Sequence, residues 1–179
     1  MGTKNTGRLA LSAVMTALAV VVLLLTAAPI ATIGLAALAG VCGIPVVVEW
    51  GRKAGLIHFA AVAVLALLLV PSLQGKGMYI AFFGWYTVFK AWIESRHLPR
   101  MGEWAAKCGA FLAATAAYGA VWVWLLRMPL PDGFRLWMLP VAAVMACAIF
   151  AVYDIGFSRL VTAYCGGIGG KIRQIFRFQ

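Results

Sequence analysis

Apolar residues run through this chain in long blocks, separated by short stretches of glycine, proline and charge. The blocks span residues 9–28, 30–50, 54–71, 78–94, 103–126 and 136–160. Each is close to the roughly 20 residues that a helix needs to cross a hydrocarbon core. In lipid, backbone amides must be satisfied within their own segment, so blocks of this kind predict helices. The pattern predicts an all-α integral membrane protein. It would be a six-transmembrane-helix bundle in residues 1–165, followed by a tail at 166–179.

The fourth block, MYIAFFGWYTVFKAWIE, organises the rest. Wound at about 100° per residue, it gathers Tyr79, Phe82, Phe83, Tyr86, Lys90 and Ile93 on one face. Ala81, Gly84, Val88 and Ala91 fall on the opposite one. The small face suits a close helical neighbour; the aromatic face suits either a ligand or more protein. Lys90 sits about 18 Å from the outer end at 1.5 Å per residue, deep enough to require snorkelling or a partner. Glu94 is one partner, at i+4. Asp154, at a similar depth in the sixth block, predicts a Lys90–Asp154 ion pair between helices.

The other blocks carry weaker signals. Ala10, Ala13 and Ala17 form a small-residue stripe on the first helix, which suits packing within the chain or against another helix. Pro29 marks a turn, and Gly40, Gly43 and Pro45 predict a kink within 30–50. Glu49 precedes Arg52 and Lys53 at i+3 and i+4, the favourable order for an interfacial charge cluster. His58 reads as a hydrogen-bonded interfacial residue. Pro99 and Gly102 break the basic loop SRHLPRMGEWAAK, and Asp132-Gly133 signals a turn.

Composition strengthens the membrane reading. Hydrophobic residues make up 64% of the chain and charged ones 11%, against about 25% charged in a soluble domain; mean hydropathy is +0.97. The net charge of +10 is spread between apolar blocks, so its partner is the lipid bilayer and its headgroups, not nucleic acid. With the N-terminus inside, the inner side holds Lys4, Arg8, Arg52, Lys53, Arg96, Arg100, Lys107, Lys171, Arg173 and Arg177. The outer loops hold only Lys76, Arg127 and Arg135. This asymmetry predicts that both termini lie on the cytoplasmic side of the membrane. Lys4 and Arg8 before a long apolar run read as an uncleaved first helix. The tail, with Lys171, Arg173 and Arg177 among Ile172, Ile175 and Phe176, reads as a basic amphipathic surface segment.

Catalytic chemistry is hard to build. The five acids, Glu49, Glu94, Glu103, Asp132 and Asp154, form no paired-carboxylate motif, and no nucleophile elbow, HExxH or P-loop is present. The four cysteines stand singly, without metal or disulfide spacing. The chain is expected not to be an enzyme and to need no metal or cofactor.

Length, six apolar blocks and a first helix reading LALSAVMTALAVVV resemble the substrate-binding S component of an energy-coupling factor (ECF) transporter. The stretches EWGRKAGLIHFAAVAVLALLLVP and YIAFFGWYTVFKAWIE resemble uncharacterised S-component-like membrane proteins of clostridial-type bacteria. That group carries a pattern FGYYPxxKxxIE, and Thr87 stands here where proline would be. The resemblance implies an ATP-driven importer subunit for a small, vitamin-like solute. It implies that Ala10, Ala13 and Ala17 dock on a transmembrane coupling protein driven by two ATPases supplied in trans. It further implies an outer pocket, for which the chain offers Gln74, Tyr79, Phe83, Tyr86, Tyr118, Trp122, Arg127 and Arg135. Aromatic rings beside a few polar groups would suit a small, flat, anionic molecule. The rival readings are a membrane scaffold without a ligand and a lipid-active membrane enzyme.

Overall fold

The computed structural model describes residues 2–28, 31–97, 99–125, 127 and 136–170. Every regular element among them is helical: α1 (Gly2–Leu24), α2 (Thr32–Val41), α3 (Ile44–Leu69), α4 (Leu73–Met78), α5 (Gly84–Glu94), α6 (Arg100–Ala120) and α7 (Leu139–Ala163). A π-turn, Tyr79–Phe83, joins α4 directly to α5, and further π-turns, Val121–Leu125 and Tyr164–Ile168, follow α6 and α7. Four helical runs, Thr6–Ala27, Ile44–Leu69, Arg100–Trp124 and Leu139–Gly167, are long and apolar enough to cross a membrane. The apolar helix Thr32–Val41 is shorter. Arg135, the Asp132-Gly133 turn and residues 171–179 of the basic tail lie outside the described residues.

Local chemistry sets the element boundaries. Ser72 caps α4 by accepting the Gly75 amide at 3.1 Å, and Lys76 Nζ donates to the Val70 carbonyl at 3.1 Å. Proline occupies the first turn of α3, where its missing N–H costs nothing. The interruption expected from Gly40, Gly43 and Pro45 falls at Cys42–Gly43, whose amides bond three residues back, at 3.2 Å each, to Ala39 and Gly40. Gly51, at φ 78° and ψ −174°, adopts a conformation open chiefly to glycine and divides α3 into pieces 44–50 and 52–69. Helical i+3 and i+4 spacing therefore does not carry from Glu49 to Arg52 and Lys53. The Tyr164 hydroxyl donates to Glu49 at 3.2 Å.

Helices α1 to α5 pack tightly. Leu11, Ala19 and Leu23 of α1 and Val62 and Ala66 of α3 are fully buried, and His58 Nδ1 lies 3.0 Å from Thr16 Oγ1 between the two helices. Glycines allow the closest approaches, as small residues do in membrane interfaces. A Cβ on Gly40 would lie 2.5 Å from the Phe83 carbonyl oxygen, and one on Gly55 would lie 2.8 Å from Val88 Cγ2. Thr87 uses this proximity, donating to the Gly40 carbonyl at 3.0 Å. Proline at that position could not make this α2–α5 bond, and the helical irregularity here is instead the π-turn one residue before Gly84.

Helices α6 and α7 are held differently. Among its described residues α6 buries only Lys107, and α7 buries Phe150, Asp154 and Phe157. The remaining α7 face, including Val144, Met145, Ile155 and Leu160, is exposed and apolar. Such a surface is stable against acyl chains.

Candidate functional site

A cavity of about 510 Å³ opens between the tight and the loose parts of the bundle. Its walls come from the first turns of α2 (Ile33, Gly34, Ala37), from Met78 and the π-turn (Ala81, Phe82, Phe83), from α6 (Phe111, Ala114, Thr115, Tyr118) and from α7 (Ala146, Ile149, Phe150, Val152, Tyr153). The π-turn explains how one helix supplies three consecutive wall residues: its extra residue per turn departs from the 3.6 register. Phe82 stands at the centre of a ring cluster, 5.0 Å from Phe111 and 5.6 Å from Phe150. Phe111 and Phe150 stack at 4.8 Å and 11°.

Of the residues expected to bind solute, the cavity wall includes Phe83 and Tyr118. Tyr79 and Tyr86 are fully buried behind it. Tyr79 packs 6.1 Å from Phe59, and Tyr86 lies 4.8 Å from Phe82. The π-turn divides the predicted aromatic ridge in this way. Gln74 and Arg127 are exposed outside the lining, and Trp122 is half-buried, 5.8 Å from the Tyr118 ring. Phe111, Phe150 and Tyr153 were not singled out by sequence reasoning. The available signal was Phe150, which shares a helical face with Asp154 four residues on.

A closed charge network lies toward the other ends of α5 and α6. Lys90 Nζ is 2.5 Å from Asp154 Oδ1 and 2.9 Å from Glu94 Oε1. Lys107 Nζ is 2.5 Å from Glu103, 3.0 Å from Glu94 and 3.5 Å from Asp154 Oδ2. The Tyr86 hydroxyl donates to Asp154 Oδ1 at 2.5 Å, and Lys90 Nζ stands 5.9 Å from the Phe157 ring centroid. Three carboxylates and two ammoniums leave one formal negative charge, with Glu94 and Glu103 the more exposed members. Charges this deep are tolerated in an apolar bundle only when paired, and here the pairing ties α5, α6 and α7 together. Tyr86 touches both features: its ring packs on Phe82 and Phe150 of the cavity wall, and its hydroxyl reaches Asp154.

On the outer surface of α1, Ala13 and Ala17 are exposed and Ala10 is half-buried. Among the described residues no group of three or more His, Cys, Asp or Glu is arranged to hold a metal ion. Comparison of the chain with protein-family models, with curated proteins and with solved structures finds no match.

Proposed function

We propose that this chain is the membrane-embedded solute-binding subunit of an ECF-type ATP-driven importer. The observation that carries the reading is the cavity of about 510 Å³, within the range that encloses a small molecule. It opens between a tightly packed helical group and a loosely attached one, an arrangement that can admit and release a ligand. The exposed Ala13 and Ala17 add a small-residue surface on α1 where a coupling helix can approach closely. In this reading the bundle crosses the bacterial cytoplasmic membrane six times with both termini inside. The cavity then lies in the outer half and the Lys90–Asp154–Lys107 network near the inner face. The coupling protein and two ATPases are separate chains.

The test is purification of the chain from its host, followed by native mass spectrometry. The expected result is a retained small molecule together with copurifying ATPases. Replacing Ala13 and Ala17 together by tryptophan is expected to abolish copurification and to leave ligand retention intact. Copurification unchanged in that variant counts against docking through α1. A chain with neither ligand nor ATPases is a scaffold instead.

A further inference from the structure

We infer that the cavity takes a neutral, largely apolar molecule, and that this molecule enters from the hydrocarbon phase of the bilayer. The inference rests on the solute-binding reading and narrows it. It departs from the anionic solute that the sequence suggests.

None of the residues lining the cavity is charged. The two buried ammoniums nearby, Lys90 and Lys107, are each bonded to carboxylates in the closed network, so neither is available as a counter-ion. An anion brought into such walls would lose its hydration without replacement. The polar groups of the lining point the same way. Thr115 Oγ1 already donates to the Phe111 carbonyl at 2.8 Å. The hydroxyl oxygens of Tyr118 and Tyr153 are buried, so these two residues offer the cavity their rings. A molecule in the cavity therefore meets almost only apolar atoms. The route follows from exposure: Ile33, Ile149 and Val152 line the cavity yet are 52%, 63% and 73% exposed, so its mouth opens through an apolar, lipid-facing wall.

The test uses the full chain in phospholipid nanodiscs, titrated with the neutral fluorophore N-phenylnaphthylamine and with its anionic relative anilinonaphthalene sulfonate. Protein-free nanodiscs measure simple partitioning. The neutral probe is expected to bind saturably, and the sulfonate at least about tenfold more weakly, a difference of roughly 1.4 kcal/mol. Gly34→Leu fills the cavity from a position where an added Cβ meets nothing within 4 Å, so it tests occupancy without disturbing the fold; it is expected to remove the saturable signal. Equal binding of the sulfonate, a signal no larger than that of empty discs, or indifference to Gly34→Leu overturns the inference. Copurifying ATPases alongside a retained anionic solute would overturn it and leave the subunit reading standing. Saturable neutral-probe binding with no ATPases would do the reverse.

Discussion

Helices α1 to α5 and the pair α6–α7 are built from similarly apolar sequence but are attached by different forces. In the first group the contacts are steric. Glycines at 40, 55 and 75 sit where a Cβ would collide with a neighbouring helix, and small buried residues such as Ala19, Ala36, Ala39 and Ala66 fill the interior. In the second group Gly109, Gly119 and Gly156 meet nothing within 4 Å, and the only buried side chain described for α6 is a lysine. Within a bilayer, apolar helices gain little by exchanging lipid contact for each other. Close packing holds one group; a few rings and a paired charge cluster hold the other. The cavity lies along the seam where these two modes meet.

The contrast can be broken most forcefully at Asp154. Asp154→Ala leaves Lys90 and Lys107 without their deepest counter-charge. Removing one partner of a buried pair costs about 3–5 kcal/mol, so the variant is expected to show the largest fall in thermal stability in detergent. Limited proteolysis should then cut first around α6 and α7. A stability equal to that of the parent chain would mean that rings alone hold the pair.

Gly40→Leu attacks the steric group. Its side chain must displace the backbone at Phe83, and overpacking of this kind costs about 1–3 kcal/mol. The same measurement checks it, with the early cleavage sites expected in α2 and α5 instead. Thr87→Val keeps the shape but removes the bond to the Gly40 carbonyl, with an expected loss of about 1 kcal/mol. A value near zero would show that α2 and α5 are joined by packing without help from that bond. Smallest of all is Gly156→Ala on the exposed face of α7, where open space and better helix propensity are expected to raise stability by about 0.5 kcal/mol. A loss there would reveal a neighbour, such as a partner helix, that the isolated chain does not show.

Much of the helical plan was legible from hydrophobicity alone. The boundaries were less so: Gly51 kinks the single run Ile44–Leu69 where two separate segments were expected, and α6 begins at Arg100, before the expected residue 103 and with Gly102 inside it. The placement of Lys90 beside Asp154, 2.5 Å apart, was legible from depth, since a lysine far from either interface needs a carboxylate at its own level. Lys107 was less legible. The basic loop SRHLPRMGEWAAK and the charge asymmetry put it at the inner side, whereas in α6 it points into the bundle between Glu94, Glu103 and Asp154.

The cavity was the least legible feature. An even helical register put Tyr79, Phe82, Phe83 and Tyr86 on one ridge, but the π-turn gives Phe82 and Phe83 to the cavity and buries Tyr79 and Tyr86 behind it. Phe111 and Phe150 had no marker, because their value comes from stacking on each other across two helices.

By itself the sequence determined that the chain is helical, apolar enough for a bilayer, and obliged to pair the charges it buries. Those properties follow from residue type and from distances along one helix. Only the tertiary structure decided which aromatic rings face a void, which lysines join the Asp154 network and which glycines meet a neighbour. These depend on the rotation and spacing of one helix against another, and a 3.6-residue period specifies a face without specifying what that face will meet.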